Sequence, residues 1–287
     1  MREGTVLTRQ DIRTLADAGV RRIRVVRVDG PVVDAGAARP GAKPAPVVEP
    51  PTASPVSEEV RKEARRAIEQ YIGRLKAREA ADLDDIESAV VKVLDQVLNN
   101  SRLLARFGQL RLESDIVFDH SVGVCVLSVI IGLELEYDYV DLKALATGAI
   151  LHDVGKVYIP DEIWNLPRKL TEEEFEQVRK HTVLGFEVLR KHRDLDIRSA
   201  HVAYQHHERL DGKGYPRGLS GNEIHRFARI VSVADVYDAV TSPRPYRDAL
   251  PAHRAVQIIA EERGKAFDPA VVGAFLRRIG RRVTSGR

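Results

Sequence analysis

Histidines and aspartates recur in this chain at positions that suit a metal centre. Of the nine histidines, four sit beside an acidic residue or another histidine, and a fifth lies between them in the sequence. Neutral imidazoles and carboxylates that project from several helices toward one point are the usual ligands of a metal site in a helical bundle. The candidate ligands, spread over five expected helices, are His120, His152, Asp153, His181, His206, His207 and Asp235.

The most compact string is Leu151-His152-Asp153-Val154-Gly155-Lys156, which closes an apolar segment. It offers a nitrogen and a carboxylate side by side, and the two oxygens of Asp153 allow it to bridge two metals. Lys156 follows three residues later, so on a helix its ammonium would share the face of Asp153 and could reach a bound phosphate. A plain helix end, with a lysine that complements the helix dipole, explains the same string.

A second string runs from His206 to Pro216 and joins a histidine pair to a glycine-rich loop. Neighbouring residues on a helix point about 100° apart, so the pair can share one metal only if the helix end is aimed at it. Gly212 and Gly214 permit backbone geometries closed to other residues, and Pro216 stiffens the exit. The string predicts a shaped loop beside the site, although an ordinary helix-terminating turn is the simpler alternative.

These strings resemble the HD-GYP family, a branch of the HD phosphohydrolases. The resemblance covers roughly residues 110 to 280. It rests on His120-Ser121, His152-Asp153 with Lys156, His181-Thr182-Val183-Leu184-Gly185, His206-His207-Glu208, Gly214-Tyr215-Pro216, Ala228-Arg229-Ile230 and Asp235-Val236-Tyr237-Asp238-Ala239. The family has helical catalytic domains that hold two or three metals, usually iron or manganese, and hydrolyse cyclic di-GMP to pGpG or GMP.

The resemblance implies a role for each matching residue. One metal would be held by His120, His152, Asp153 and Asp235, and a second by Asp153, His181, His206 and His207, with Asp153 as the bridge. Lys156 is similar to the family's phosphate-contacting lysine, and Gly214, Tyr215, Pro216, Arg244 and Arg247 look like its substrate-binding residues, the arginines being suited to bidentate phosphate contacts.

The chain departs from the family's trinuclear type at one position. Those members have a glutamate four residues before the first histidine, where this chain has Ile116. Asp115 and Asp119 are close in sequence but point elsewhere on a helix. The sequence therefore predicts two metal ions, iron or manganese, rather than three.

A site with two metal ions indicates a phosphodiesterase that needs no protein side chain as nucleophile. A metal-bridging hydroxide would attack phosphorus while the cations offset the phosphoryl charge, and Lys156 would stabilise the developing negative charge. The loop with Tyr215 would position substrate. Two alternatives stay open. One is a sensor that binds a cyclic dinucleotide without cutting it, and the other is an enzyme with the same chemistry that acts on another cyclic dinucleotide or a nucleotide phosphate.

Helices must position these residues, so the predicted fold is mainly α. Apolar spacing predicts helices over about 115–135, 141–156, 172–192, 195–208, 224–241, 251–262 and 268–279. Thr171 and Glu174 form a capping-box pattern at the start of the third of these helices. The sequence shows almost no strand signal in this part of the chain.

Composition divides the chain into four predicted parts. A small helix-strand unit (1–30) is followed by a Pro/Ala-rich linker (31–56), connecting helices (57–109) and the HD-GYP catalytic domain (110–287). The connecting helices are expected to pack on the catalytic domain or on a partner subunit, which makes them a candidate homodimer interface.

The amino-acid composition favours a cytoplasmic globular protein. Charged residues make up 30% of the chain, and the longest apolar run, 122–133, is shorter than the roughly 20 residues of a membrane span. A net charge of +3 without a basic block does not indicate a nucleic-acid polymer as partner. The single cysteine, Cys125, is expected to be a buried apolar residue. Outside the strings, His192, His201, His225 and His253 are expected to be structural or exposed, and Asp238 to pair with an arginine or to face the site.

Overall fold

The structure, a computed structural model, describes residues 55–99, 118–164, 168, 170–242 and 249–278. Within these ranges the chain is helical, and no β-strand is formed. The α-helices are α1 (Glu58–Ala77), α2 (Asp84–Asn99), α3 (Phe118–Glu134), α4 (Tyr139–Ile150), α5 (Asp161–Trp164), α6 (Glu172–Leu189), α7 (Ile197–Gln205), α8 (Arg226–Thr241), α9 (Ala252–Glu261) and α10 (Pro269–Arg278). Two short 3₁₀ segments, Val154–Tyr158 and Gly221–Glu223, complete the set.

Several helices begin where the sequence supplies a capping side chain. Thr171 and Glu174 form a reciprocal capping box at the start of α6, as predicted. Ser57, Asp138 and Asp196 accept a hydrogen bond from the backbone of the first turn of α1, α4 and α7. These caps satisfy amide groups that have no partner inside the helix, so each start is defined by local sequence.

The core is built around α3, which is apolar on all sides. Residues 120–132 of this helix are buried, and α4, α8 and α10 pack around it. A helix that is hydrophobic all round belongs in the interior of a protein. Cys125 is fully buried there, as predicted. The face of α3 that carries His120 therefore meets α4 and α8 inside the molecule.

The two helices before α3 pack on the helices that follow them. Both α1 and α2 contact α3, and α2 also contacts α4. Their buried residues, among them Ile68, Val90 and Leu94, join the same apolar core as those of α3 and α4. Lys143 Nζ of α4 also binds Glu87 Oε2 of α2 at 2.6 Å. Of the two packing partners considered from sequence, the structure shows the following helices of the same chain.

The seven helices expected after residue 110 are found in the expected order, whereas the short α5 (Asp161–Trp164) was not expected. Three of the expected helices end early, and the one expected over 172–192 ends at Leu189. The helix expected over 141–156 ends at Ile150, and residues 151–153 form a turn before the 3₁₀ segment. The helix expected to reach 208 ends at Gln205. Lys156 and Asp153 therefore do not share an α-helical face. The predicted N-terminal unit (1–30), nearly all of the linker and Ile116 lie outside the described residues.

None of the described helices combines the length and the apolar character that crossing a membrane requires.

Candidate metal centre

Seven side chains from five helices and their adjoining turns converge at one point of the interior. They come from α3, the turn after α4, α6, the end of α7 and α8, and they are His120, His152, Asp153, His181, His206, His207 and Asp235. Each is buried or nearly so. All the candidate ligands singled out from sequence are thus brought together, whereas their binding of metal stays a prediction.

Three of the histidines are oriented by their own backbone. His152 Nδ1 donates to Ala149 O at 2.7 Å, and His181 Nδ1 donates to Val178 O at 2.6 Å. His206 Nδ1 is shared between two carbonyls of α7, each at 3.1 Å. A carbonyl can only accept, so the proton of each neutral ring sits on Nδ1 and Nε2 is left with its lone pair. All three rings therefore present a ligand atom to the site.

His120 is held by two carboxylates of α8. Its Nδ1 lies 2.6 Å from Asp238 Oδ2, and its Nε2 lies 3.2 Å from Asp235 Oδ1. Burial opposes protonation of His120, but the hydrogen bonds to Asp235 and Asp238 raise its pKa to about 9. Asp238 is itself only 2% exposed. The partner of Asp238 is therefore His120, a candidate ligand, and not the arginine considered from sequence. Asp238 thus has the position of the carboxylate that commonly supports a metal-binding histidine.

Asp153 lies between two sets of ligands and turns one oxygen toward each. Its Oδ2 is 3.3 Å from His152 Nε2 and 4.0 Å from His120 Nε2. Its Oδ1 is 3.4 Å from His181 Nε2 and 3.8 Å from His206 Nε2. Asp153 is the residue common to these contacts, so its carboxylate has the geometry of a bridge.

The ligand atoms form groups compact enough to surround an ion. Asp153, His181, His206 and His207 each offer one atom within 4.8 Å of the others, and His120, His152 and Asp153 do the same. Asp235 adjoins the second group through His120. These two groups match the two ligand sets implied by the family resemblance, and a third group, His152, His206 and Asp235, joins residues of both sets.

The electrostatics of the site favour cations. Burial lowers the pKa of His207 to about 3, and burial with the neighbouring histidines holds the pKa of His206 well below its usual range. Burial opposes ionisation of Asp153, yet Lys156 and His152 hold its pKa well below the usual value. At neutral pH His206 and His207 are therefore unprotonated and Asp153 is charged, which are the forms that bind metal.

Unsatisfied polar atoms provide a separate test of that fit. His152 Nε2 and Asp153 Oδ1 are buried and have no hydrogen-bond partner among the described residues. Buried polar atoms are nearly always paired, so an unpaired acceptor of each kind at one point needs an explanation. A metal ion in each ligand group would satisfy both atoms, because His152 Nε2 belongs to one group and Asp153 Oδ1 faces the other. The donor set suits iron, manganese or zinc.

Lys156 stands at the edge of the site. It lies in the 3₁₀ segment that follows the His152-Asp153 turn, and its Nζ contacts Asp153 Oδ2. About a third of its side chain is exposed, unlike the ligands behind it. An ammonium that is partly open to solvent and in contact with the bridging carboxylate is suitably placed to meet an incoming anion.

The loop after α7 is held against the site by Glu208. This buried carboxylate accepts hydrogen bonds from the backbone amides of Arg217 at 2.8 Å and Leu219 at 2.9 Å. A Cβ on Gly214 would meet His207 O at 2.5 Å, so the loop passes too close to the backbone that follows α7 for any larger residue. Sequence reasoning quoted Glu208 within a motif but gave it no role.

Tyr215 forms the wall of the site on this side. Its ring packs on His207 with the centroids 4.7 Å apart, and its backbone amide donates to His207 O at 3.2 Å. Burial and the charges of Asp153 and Asp235 raise the pKa of Tyr215. The predicted substrate residues Gly214, Tyr215 and Pro216 therefore lie beside the candidate metal ligands, whereas Arg244 and Arg247 lie outside the described residues.

The histidines outside the motifs take structural or exposed positions. His192 Nε2 lies within hydrogen-bond distance of Tyr71 Oη, at 2.9 Å. His225 caps α8, accepting from the backbone amide of Phe227, and His201 stacks near it. His253 is exposed. None of these four belongs to the ligand groups found among the described residues.

Comparison with known proteins places the chain in a family. The family model described as an HD domain matches residues 98–271. A cyclic di-GMP phosphodiesterase of Pseudomonas aeruginosa is 33% identical over 290 aligned residues, which cover 97% of this chain and 70% of that protein. A 3'3'-cGAMP-specific phosphodiesterase of Vibrio cholerae is 36% identical over 174 residues, or 60% of this chain and 38% of that protein.

A solved structure shares the fold. A HDG"Y"P protein from Bdellovibrio bacteriovorus superposes with a TM-score of 0.61 at 19% identity, covering 75% of this chain and 69% of that one. Several relatives are longer proteins, of which this chain spans less than half.

Proposed function

Because this chain belongs to the HD-GYP branch of the HD-domain family, we propose that it is a metal-dependent phosphodiesterase whose substrate is cyclic di-GMP. The observation that carries the proposal is the position of Asp153. One of its oxygens faces His152 and the other faces His181, so a single carboxylate serves two neighbouring ligand groups.

The ligand groups lead us to propose two metal ions, iron or manganese. His120, His152, Asp153 and Asp235 would hold one, and Asp153, His181, His206 and His207 the other. When bound, two such ions supply an activated water and offset the negative charge of a phosphodiester.

The protein's own side chains have distinct tasks in this proposal. Asp153 fixes the position of the two ligand groups relative to each other, because its carboxylate contacts both. Lys156, which is partly exposed beside it, binds a phosphoryl oxygen and stabilises the charge that develops there. Tyr215 and its loop orient the substrate, with Arg244 and Arg247 as further phosphate ligands. Asp238 holds the ring of His120 from behind.

Cyclic di-GMP is proposed over other substrates on the strength of the Pseudomonas aeruginosa relative, which matches nearly the whole chain. The Vibrio cholerae relative, named for 3'3'-cGAMP, supports a second candidate substrate of the same class. The rival to both is a sensor that binds without cutting. A full ligand set and a lysine beside it favour hydrolysis.

The test is an incubation of the metal-loaded protein with cyclic di-GMP and, separately, with 3'3'-cGAMP, followed by chromatography for linear products. We expect pGpG or GMP from the first substrate, and faster turnover of it than of the second. Asp153→Ala should lose both metal and turnover, whereas Lys156→Ala should keep its metal and hydrolyse more slowly. Tight binding of intact cyclic di-GMP without product by the metal-loaded protein would favour the sensor.

We propose that residues 1–30 and the linker 31–56 form a regulatory appendage to a catalytic domain that begins near residue 110, and that the protein acts in the cytoplasm. The helices over 57–109 would connect the two parts and contribute to a homodimer.

A further inference from the structure

Tyr215 also packs on two residues of α6 that belong to no recognised motif. The guanidinium carbon of Arg179 lies 4.5 Å from the ring centroid of Phe175 and 5.3 Å from that of Tyr215. The Phe175 and Tyr215 rings meet edge to face, at 5.9 Å and an interplanar angle of 79°. Arg179 thus shares the faces of two aromatic rings, an arrangement in which a cation is attracted by both.

These contacts continue directly into the metal centre. The Tyr215 ring packs on His207 at 4.7 Å, and the His207 ring meets that of His181 at 5.2 Å. His181 belongs to α6, as do Phe175 and Arg179, which are one helical turn apart. One helix therefore supplies both a candidate ligand and the support behind the tyrosine that borders the ligands.

The hydrogen bonding of Arg179 agrees with a packing role. Its Nη1 pairs with Glu176 Oε1 at 2.5 Å on the outer side of α6. Its Nε is buried and has no hydrogen-bond partner among the described residues. A buried donor that is left unpaired costs free energy, so the position of the guanidinium is set by its contacts with the rings.

We propose that Phe175 and Arg179 are positioning residues that hold the Tyr215 ring against His207 and thereby fix the substrate-facing loop Gly214–Pro216 beside the metal ligands. The inference rests on the proposed function, in which Tyr215 contacts the substrate. Neither residue touches the reacting atoms. Each acts through Tyr215.

The same helix provides a matched control for the experiment. Arg190, just after the end of α6, lies over Phe186 at 5.9 Å and pairs with Glu187 at 3.1 Å, so its ring and glutamate have the same sequence spacing as those of Arg179. Among the described residues, the ring of Phe186 packs on His201 and Tyr204 rather than on Tyr215 or a candidate ligand. Arg179→Met and Arg190→Met therefore remove the same kind of interaction, and only the first removes it from Tyr215.

We expect Arg179→Met to raise the KM for cyclic di-GMP by roughly fivefold, the range of a partly buried cation-aromatic contact, with a smaller change in kcat and unchanged metal content. Arg179→Lys should restore much of the loss, and Arg190→Met should behave as the unaltered protein. In a Tyr215→Ala background, Arg179→Met should add nothing. An unchanged KM, an equal effect in the Tyr215→Ala background, or loss of metal would overturn the inference.

A second readout separates this inference from the proposed function. With 3-fluorotyrosine incorporated, the ¹⁹F signal of Tyr215 can be assigned through Tyr215→Phe and followed without any substrate. Arg179→Met should shift that signal and Arg190→Met should not. A protein that hydrolyses no cyclic dinucleotide but shows this pattern would refute the function and retain the positioning role, and an unmoved signal would refute the positioning role itself.

Discussion

Gly155 is the position where one added methyl group should do the most damage. It lies in the 3₁₀ segment that follows the His152-Asp153 turn, pressed against α6. A Cβ built there would lie 1.9 Å from His181 O and 2.5 Å from Gly185 N. Both are backbone atoms, so no side-chain rotation can relieve the contact. Real Cβ atoms essentially never lie closer than 3.0 Å to such an atom. The 3₁₀ segment would therefore have to move away from α6 by more than an ångström to bring the Cβ–O distance to that limit.

The movement would separate two sets of candidate ligands. Overpacking of this kind costs about 3 kcal/mol of unfolding free energy. A displacement of about 1 Å in a catalytic constellation costs about 100-fold in rate. We therefore expect Gly155→Ala to lower stability by about that amount, to weaken metal binding and to reduce turnover by about two orders of magnitude. Chemical denaturation, metal analysis and product chromatography would measure the three effects.

Two other helical glycines provide controls of graded severity. A Cβ on Gly185 would meet Gly155 N at 3.2 Å, so Gly185→Ala should have a milder effect of the same kind. Gly73, exposed on α1, has nothing within 4 Å, and Gly73→Ala should stabilise the protein by roughly 0.5 to 1 kcal/mol because it removes backbone freedom from the unfolded chain. If Gly155→Ala unfolded like Gly73→Ala and kept its metal, the argument from close packing would be wrong.

Three further predictions concern groups outside the ligand set. Asp238→Asn should weaken metal binding by about tenfold to 100-fold, because the charge that supports His120 is lost; a chelator competition that gives an unchanged affinity would contradict this. Glu208→Gln leaves one oxygen for two loop amides, so it should lower the unfolding free energy by about 1 to 3 kcal/mol and speed proteolysis within 209–219. Equal cleavage rates for the variant and the unaltered protein would contradict this. Burial and the nearby charges of His201 and Arg226 lower the pKa of His225 from 6.5 to about 4, so its stabilising contribution is complete above pH 6.5 and is lost as the pH falls toward 4. His225→Asn keeps a capping oxygen and should flatten the pH dependence of unfolding in that interval; an unaltered slope would assign the dependence to other groups.

The helices of the catalytic part were predictable because their signals are local. Thr171 and Glu174 define the start of α6, and the apolar run of α3 requires burial. The failure at 141–156 has a tertiary cause. The segment after Ile150 must let Gly155 approach the backbone of α6, so the α-helix ends before His152 although its residues tolerate a helix.

The candidate site also has a part that local sequence predicts and a part that depends on the fold. Residue types and motif spacing were enough to choose the candidate ligands, because few other structures need so many histidines beside carboxylates. No spacing in the sequence links Asp238 to His120 or Arg179 to Tyr215, since each pair joins different elements of the chain. Such partners depend on which side chains meet when helices pack, and only the fold reveals them.

The hydrogen bonds of the ligands imply that the two halves of the site depend on different parts of the fold. His152, His181 and His206 are oriented by carbonyls three or four residues earlier, so the turn or helix that carries each ring also aims it. His120 is aimed by Asp238, a residue 118 positions away on α8. The group around His181 therefore needs only that α6, α7 and the His152-Asp153 turn be close together. The group around His120 needs, in addition, the correct packing of α3 on α8. Any change that loosens that packing should disturb the His120 and Asp235 ligands while the rings of the other group keep their orientation.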